Sequence, residues 1–413
     1  MHPGRNTILQ ALGFGANSQS SDDSSSAMPT IKKGQSPKSA PNEKPPLPST
    51  AATERAAASQ QSAAQGAAVK NVACTGYGPK HAGLSSSTVP ELRKLAEYEQ
   101  LCGGAVASKV SFFVPTPSTV EQAHTSAAGI AGVLKAFARA GVAPLVFMEP
   151  NDLQGAKLDL RAYGSGAYDG AVDTYFKALQ SAGVTSTEMG TWVFLPEGNL
   201  PVWSTTDPTI YAQVVTRTAS SLKQHFPGSQ AALMLDGKTY PVGETWGQGS
   251  YASLVPYVRS IPKGLIDSFG IQGFPWAGPA NQPPSTLYDP KIFLRSDLAV
   301  EAARYLGVNA IWLNSGTFGR IYAGQPKATV SMVAADRQIM LKGITQQAIL
   351  TKAQGFTVAI HVFAENKADL SEGIDWSYWH SPGDNAASAA AFSSFAADTT
   401  AAGIGIWLYD TAH

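Results

Sequence analysis

Residues 127–149 read AAGIAGVLKAFARAGVAPLVFME, a segment that predicts a helix followed at once by a buried strand. Small and apolar residues occupy Ala127–Ala140, and Gly141 ends the helix before Pro144. The run from Pro144 to Met148 is uniformly apolar, which is typical of a parallel strand covered on both faces. The segment therefore predicts one α/β unit with Glu149 at the carboxyl end of its strand.

The same unit recurs along the chain. The helix that ends at Gly141 is predicted to start at Ser118, and further helices are predicted over Pro208–Phe226 and Val330–Gln354. Such alternation predicts a (β/α)8 TIM barrel. An open doubly wound sheet is the alternative, but neither GxGxxG nor GxxxxGK(S/T) follows the first strand. The strands are predicted at Asn71–Cys74, Val110–Val114, Pro144–Met148, Thr191–Leu195, Ala231–Leu235, Ser268–Gln272, Ala310–Leu313 and Thr357–Phe363, with a closing segment at Gly405–Leu408.

The first 70 residues cannot build a core, because their only aromatic residue is Phe14. We expect a disordered Ser/Ala/Pro-rich tether over residues 1–70, followed by one folded domain over residues 71–413. The tether holds seven of the 30 basic and four of the 30 acidic residues, which leaves 23 and 26 in the domain. No excess positive charge is available for nucleic acid, so that partner is not expected.

Charged residues form only 15% of the chain. Such surfaces are common in exported proteins, and we expect a secreted or cell-surface monomer, although no clear signal peptide is present. No apolar run is long enough to span a membrane. Cys74 and Cys102 lack metal-site spacing and form either one disulfide or two inert thiols. No metal or cofactor is expected.

Carboxylates, amides and aromatic residues dominate the predicted strand ends, where a barrel of this type places its working residues. Histidine and cysteine are scarce there, which disfavours Ser-His-Asp, Cys-His and zinc mechanisms. Glycosidic cleavage needs a proton-donating carboxyl group and a second carboxylate. Amides then bind hydroxyls, and flat aromatic faces pack on sugar rings. The candidate catalytic residues are Glu197, Glu365 and Asp236, and the candidate substrate-binding residues are Asn199, Trp203, Asn314, Trp276, Trp376, Tyr77, Glu149 and His361.

These strand ends resemble glycoside hydrolase family 26, whose clan A type barrels act mainly on β-mannans and related β-glucans or β-xylans. The likeness spans about Gly76 to Trp376. It rests on three motifs. The first is Glu149-Pro150 at the end of the third predicted strand, and the second is Glu197-Gly198-Asn199 with Trp203, which is similar to the family's acid/base segment and downstream Trp. The third is Phe363 with Asp375-Trp376, near strand eight.

Two positions depart from the family. Pro196 stands where the family has His before the acid/base Glu, and Asn314 stands at the usual nucleophile position at the end of strand seven. An amide cannot form the covalent glycosyl ester. Glu365 or Asp236 would then act as the second carboxylate, with a carboxyl separation of about 5 Å implying retention and about 6.5–9.5 Å implying inversion.

Three interpretations follow. The first is hydrolysis of a mannan, glucan or xylan type polysaccharide or oligosaccharide, with Glu197 as general acid/base and a second carboxylate, or with the substrate's own acetamido group as nucleophile. The second is a non-catalytic glycan-binding barrel, and the third is a structural or host-interaction domain in which the aromatic residues are core. Four of these residues also have a structural interpretation: Asp236 in a turn, Glu365 in an ion pair, Glu149 in stabilising a loop, and His361 in the core.

Overall fold

The computed structural model describes residues 109–196, 198–199, 207–237, 251–273, 294–316, 319–320, 330–364, 374–375 and 386–410. Within them eight parallel strands form a closed barrel, which confirms the predicted (β/α)8 fold. The strands are β1 (Lys109–Pro115), β2 (Ala143–Glu149), β3 (Thr191–Phe194), β4 (Gln230–Asp236), β5 (Ser268–Gln272), β6 (Ala310–Gly316), β7 (Thr357–Ala364) and β8 (Gly405–Asp410).

Helices connect each strand to the next. Outside the barrel, Gly319–Arg320 pairs antiparallel with Ile374–Asp375. The helices are α1 (Val120–Ala140), α2 (Leu160–Ser165), α3 (Asp169–Ser181), α4 (Ser186–Met189), α5 (Pro208–His225), α6 (Val255–Val258), α7 (Ser296–Leu306), α8 (Val330–Lys352) and α9 (Ala386–Ala401).

Local capping explains where the main helices begin and end. The Thr119 side chain accepts a hydrogen bond from the Gln122 backbone and starts α1, and Gly141 ends it in the left-handed conformation with φ 69°. Asp207 caps α5 in the same way, with Pro208 in the first turn. These ends agree with the sequence prediction to within two residues.

The ring closes where β1 pairs with β8, through Lys109 beside Trp407. The predicted first strand, Asn71–Cys74, lies outside the described residues, and the eight described strands close the barrel among themselves. The strand numbers expected from the sequence are therefore one too high. Glu197 follows the third barrel strand rather than the fourth, and Asn314 lies on the sixth rather than the seventh.

Every second residue of the barrel strands faces the helices and forms the hydrophobic core with them. On β4 these residues are Ala231, Leu233 and Leu235. The alternate residues face the barrel axis, where the fully buried indole of Trp312 fills the interior. Gly270 lies beside Trp312 in register, and a Cβ at Gly270 would overlap that indole. The glycine thus provides the space that the tryptophan occupies.

Several predicted features fall outside the described residues, namely the tether over residues 1–70 and the pair Cys74 and Cys102. The domain boundary at residue 70 stays a prediction. Within the described part of the chain, no helix is both long enough and apolar enough to cross a membrane.

Candidate active site at the barrel mouth

A row of polar side chains crosses the inner surface of the barrel. It starts at Asp236, the last residue of β4, and the strand register leads from there to Gln272, Asn314 and His361. Side chains alternate between the two faces of each strand, and these four side chains face the barrel axis. Each of the four residues is at most 1% exposed. The carboxyl ends of β4 to β7 therefore deliver one acidic, two amide and one imidazole side chain toward a common mouth.

Inward side chains of alternate strands touch one another, as expected for the layered interior of an eight-stranded barrel. Each layer takes its members from every second strand. Four contacts of this kind are present: Lys109 Nζ to Thr191 Oγ1 at 2.7 Å, Ser111 Oγ to His361 Nε2 at 3.0 Å, Met234 Sδ to Asn314 Nδ2 at 3.1 Å, and Trp312 to Trp407 with ring centroids 5.7 Å apart.

Asn199 joins the loop after β3 to the end of β4. Its side-chain amide donates to the backbone oxygen of Asp236 at 2.9 Å and accepts from the Asp236 backbone nitrogen at 3.0 Å. Tyr251 donates to the Asn199 backbone oxygen at 2.6 Å. Burial chiefly, then the neighbouring Tyr257 and more weakly the Asp236 carboxylate, raises the pKa of Tyr251, against the hydrogen bond to Asn199. These contacts fix the position of Asp236, and the substrate-binding role expected for Asn199 stays a prediction.

The turn that follows β3 is strained. Leu195 has a positive φ of 47°, one of two such non-glycine residues in the described chain. This left-handed conformation is unfavourable for leucine and persists only where surrounding structure imposes it. Here Leu195 is buried, and its backbone oxygen accepts from the Gly198 nitrogen at 3.0 Å. Strain of this kind concentrates at functional sites.

Asn314 and Gln272 form a buried amide pair. Asn314 Nδ2 donates to Gln272 Oε1 at 2.7 Å. Among the described residues, Asn314 Oδ1 and Gln272 Nε2 have no hydrogen-bond partner. One acceptor and one donor thus stay available beside the mouth, and buried polar atoms of this type call for a partner.

His361 is held inside the barrel by rings and one hydroxyl. Its imidazole stacks on Phe147 with centroids 5.5 Å apart and meets Trp312 edge-on. Nε2 lies 3.0 Å from Ser111 Oγ, and the residue is fully buried. These contacts describe a packed histidine below the mouth, and a substrate contact for His361 stays a prediction.

Glu149 lies at the carboxyl end of β2, with Asn151 donating to its Oε2 at 3.3 Å. Thr116 binds the Glu149 backbone oxygen with its hydroxyl at 2.6 Å and with its backbone nitrogen at 3.1 Å, which anchors the strand end to β1. Burial raises the pKa of the Glu149 carboxyl to about 7, although the Asn151 hydrogen bond acts in the opposite direction. A carboxyl group of this kind keeps its proton up to neutral pH.

Lys109 lies at the opposite, amino end of the barrel, at the start of β1. Its ammonium group donates to Thr191 Oγ1 at 2.7 Å and to Gln230 Oε1 at 3.1 Å, and it lies 4.5 Å from the Trp407 ring centroid. Burial lowers the pKa of Lys109 to about 8. Lys109, the first residue of β1, thus lies beside the Trp407 ring at the amino end of the barrel.

The structure brings together some of the predicted site residues. Asp236, Asn314, Asn199, His361 and Glu149 lie at or just below the mouth. Six other predicted residues lie outside the described residues: Glu197, Glu365, Trp203, Trp276, Trp376 and Tyr77.

The polar partners Gln272, Ser111 and Tyr251 are not among the site residues predicted from the sequence. Gln272 ends a predicted strand, so its position carried a usable signal. Ser111 and Tyr251 gave none, because their partners are distant in sequence. Within the described part of the chain, no group of three His, Cys, Asp or Glu residues lies close enough to hold a metal ion.

A separate cavity of about 520 Å³ lies on the outer side of the barrel, between α2, α3 and α5. Arg217 pairs with Asp169 there, and His225 Nε2 lies 2.7 Å from Asp173 Oδ1. The Arg217–Asp169 ion pair and the His225–Asp173 contact join neighbouring helices at the surface, away from the strand ends.

Comparison with known proteins gives similarity at the level of structure only. No protein-family model matches the chain, and no curated protein matches it by sequence. An exo-β-1,4-mannosidase from Opitutaceae bacterium strain TAV5 is similar over 76% of this chain and 57% of that chain, at 16% identity and a TM-score of 0.47. This chain thus covers little more than half of the mannosidase.

Two further solved structures are similar at the same level. A fungal β-1,4-galactanase matches 74% of this chain and 90% of its own, at 13% identity and a TM-score of 0.46. A family 1 β-glucosidase from Thermotoga maritima matches 74% and 86%, at 9% identity and a TM-score of 0.47. At such low identities and TM-scores these similarities carry no information on the activity of this chain.

Proposed function

We propose that this protein hydrolyses a β-linked polysaccharide of mannan, glucan or xylan type at the carboxyl-end mouth of its barrel. Glu197 is the general acid/base, and Asp236 or Glu365 is the second carboxylate. The protein acts outside the cell, as a secreted or surface-bound monomer.

The observation that carries the proposal is the reciprocal hydrogen bonding of Asn199 with the Asp236 backbone. Asn199 lies two residues after Glu197 in the sequence, so the same loop segment carries one acid and holds the strand end that carries another. Two carboxyl groups in one mouth are the minimum for acid-assisted glycosidic cleavage.

The strained turn at Leu195 supports the same location. It lies two residues before Glu197, and its left-handed backbone is stabilised by burial. Retaining a conformation that costs of order 1–3 kcal/mol is more readily explained by a function of this loop than by a connection alone.

In the proposed reaction, the Glu197 carboxyl gives its proton to the leaving glycosidic oxygen as the bond to the anomeric carbon breaks. The second carboxylate either attacks that carbon or takes a proton from the attacking water. Asn314 cannot fill this role because it is an amide, and it lies on β6. The loop after β7 starts with Glu365, so Glu365 takes the strand-seven position that the sequence analysis gave to Asn314.

A non-catalytic glycan-binding barrel is the second candidate. Among the described residues, Asn314 Oδ1 and Gln272 Nε2 have no hydrogen-bond partner, and these atoms favour it, since an amide acceptor and donor suit a sugar hydroxyl and require no proton transfer. Both candidates place carbohydrate at the same mouth, and turnover separates them.

The test is release of reducing ends from a panel of mannans, glucans and xylans. We expect turnover by the parent protein and a loss of 100-fold or more in Glu197→Gln. Asp236→Asn and Glu365→Gln identify the second carboxylate by a loss of the same size. Glu121→Gln, an exposed residue in the first turn of α1, is the matched control and keeps full activity.

Equal turnover in the parent protein and in Glu197→Gln would contradict the assignment of Glu197. Glycan binding without turnover in the parent protein would establish the second candidate.

A further inference from the structure

Gln272 and Asn314 are held at the carboxyl end of the barrel by hydrogen bonds of their backbone. Gln272 is the last residue of β5, and its backbone oxygen accepts from the Gly237 nitrogen at 3.0 Å. The Asn314 backbone oxygen accepts from the Gly273 nitrogen at 3.0 Å, and Ser315 Oγ donates to the Gly273 oxygen at 2.8 Å. The two amide side chains therefore extend from a fixed backbone, so little ordering is needed before they bind a ligand.

Met234 determines the orientation of the amide pair. Both N–H bonds of the Asn314 amide are in use, because Nδ2 donates to Gln272 Oε1 at 2.7 Å and to Met234 Sδ at 3.1 Å. A thioether sulfur accepts hydrogen bonds weakly and cannot donate them, so the Asn314 nitrogen rather than its oxygen faces Met234. Gln272 must then turn its oxygen toward Asn314. The pair is left with Asn314 Oδ1 as an acceptor and Gln272 Nε2 as a donor.

These two atoms are buried, and neither has a hydrogen-bond partner among the residues that the structure describes. Both residues are at most 1% exposed. Nearly all buried polar atoms of native proteins do have a partner. An unmatched acceptor and an unmatched donor, side by side at the end of the barrel that carries the working residues, indicate a position for a ligand.

The chemistry of the two atoms selects hydroxyl groups. A hydroxyl both donates and accepts hydrogen bonds, so hydroxyl groups can satisfy Asn314 Oδ1 as well as Gln272 Nε2. A carboxylate has no proton for Asn314 Oδ1, and an ammonium group has no lone pair for Gln272 Nε2. Neither amide carries a charge that would offset the burial of an ion. The pair therefore suits an uncharged ligand.

We propose that Gln272 and Asn314 form a hydroxyl-binding subsite for one sugar ring of a neutral glycan. Asn314 Oδ1 accepts from one ring hydroxyl, and Gln272 Nε2 donates to a hydroxyl of the same ring. The pair fixes the ring at the strand ends and transfers no proton. That the ligand is a glycan rests on the proposed function above, whereas its hydroxyl character follows from the amide pair itself.

This subsite narrows the substrate class. Removing a contacted hydroxyl from the sugar leaves one buried amide atom unsatisfied, and sites built to bind a hydroxyl discriminate strongly against analogues that lack it. A carboxylate in place of that hydroxyl leaves Asn314 Oδ1 without a donor. Uncharged rings such as those of mannans, glucans and xylans fit the subsite, and acidic rings do not.

Side-chain amide NMR of the full-length protein tests the subsite without requiring turnover. The Gln272 and Asn314 signals are assigned by their loss in Gln272→Glu and Asn314→Asp. The probes are methyl β-mannoside, methyl β-glucoside and methyl β-xyloside, with methyl β-glucuronide as the acidic counterpart of the glucoside. We expect at least one neutral probe to shift both signals in a saturable way. The amide signal of Gln347, a buried residue of α8 that binds Ser296, should stay unchanged.

Analogues of the probe then identify the contacts on the parent protein, so this result does not depend on whether a variant folds. Among the monodeoxy forms of the probe that binds, at least one should bind about tenfold more weakly. Gln272→Glu replaces the donating Nε2 with an acceptor oxygen and should weaken the intact probe by about the same factor. It should weaken one of the deoxy forms much less, because the contact is already missing there. Gln347→Glu, the same change at another buried amide, is the matched control and should leave the affinity unchanged.

Three results would overturn the subsite. They are that no neutral probe shifts the two amide signals, that every monodeoxy form binds as tightly as the intact probe, or that methyl β-glucuronide binds more tightly than methyl β-glucoside. The first of these would mean that the amide pair serves only the internal structure of the barrel.

Failure of the proposed function gives a different result. If the probes shift the amide signals but the parent protein releases no reducing ends from any glycan, hydrolysis fails and the subsite stands. If glycans are cleaved and Gln272→Glu keeps full kcat/KM, the subsite fails and hydrolysis stands.

Discussion

Asn199 and Asp236 exchange two hydrogen bonds, with the Asn199 side-chain amide taking the place of a neighbouring strand for the Asp236 backbone. β3 ends at Phe194, so no strand residue is opposite the last residue of β4 on that side. The asparagine satisfies both backbone groups at that point. The two residues are 37 positions apart in the sequence, and their contact determines where the Asp236 carboxyl lies.

Replacing Asn199 with Ala should destabilise the protein and disturb the mouth. The buried backbone nitrogen and oxygen of Asp236 would lose their partners, at a cost of about 1–3 kcal/mol for each unsatisfied group. Urea unfolding measures this loss. Under the proposed function, turnover should also fall at least tenfold.

Asn309→Ala is the control, since Asn309 is exposed and its described hydrogen bond uses the backbone oxygen. Unchanged stability in Asn199→Ala would show that the two hydrogen bonds contribute nothing to the position of Asp236.

Gly270→Ala should destabilise the barrel by about 1–3 kcal/mol, because the new Cβ would overlap the Trp312 indole in a filled interior. Combining it with Trp312→Leu should recover part of that loss, since the smaller side chain leaves room for the methyl group. A double-mutant cycle by urea unfolding measures the coupling. Strict additivity of the two changes would show that Gly270 and Trp312 do not share space.

Lys109 should make stability depend on alkaline pH. Burial lowers its pKa to about 8 from 10.5, so the unfolded chain binds the proton more tightly. The free energy of unfolding therefore gains a contribution as pH rises from about 8 to 10.5, and loses it as pH falls again. Lys109→Met should lack this increment, which paired unfolding curves at pH 7.5 and 10.5 would show. Lys135→Met on α1 is the control, and an identical increment in both variants would contradict the assignment.

Glu149 should have the opposite dependence, on the acid side. Its pKa is raised from 4.5 to about 7, so the folded state binds the proton more tightly than the unfolded chain does. The stabilisation is complete below about pH 4.5 and is lost as pH rises through 7, with an upper bound on the order of 3 kcal/mol.

Glu149→Gln should remove that slope from the difference between the stability curves at pH 4.5 and 7.5, while Glu121→Gln should preserve it. A slope that survives in Glu149→Gln belongs to another carboxyl group.

Much of the fold was predictable because it is encoded locally. The apolar run from Ala231 to Leu235, for instance, has no polar residue on either face, and it is a strand whose two faces pack on helices and on the barrel interior. Helix limits followed from single residues such as Gly141 and Pro208. Closure of the ring was harder, because it depends on β1 pairing with β8 almost 300 residues later. The sequence offered nine strand-like runs and no means of choosing which eight would pair.

The candidate site was predictable in kind and less so in detail. Residue type and strand ends led to Asp236, Asn314 and Glu149. The sequence could not show that Asn314 binds Gln272, or that Asn199 turns toward the Asp236 backbone, because both contacts depend on register between strands and loops. The raised pKa of Glu149 also depends on burial that three-dimensional packing creates.

Buried side chains such as Phe147, Trp312 and His361 pack the interior of the described barrel, so it is closed along its axis. Lys109, which donates to Thr191 and Gln230 and lies over the Trp407 ring, is at the amino end of the barrel. Under the proposed function, a long polymer therefore lies across the mouth and does not thread along the axis. Under the same proposal, the loops around the mouth govern which bond meets the catalytic carboxyl groups, so new substrate preferences can arise by changing loops while the strands stay as they are.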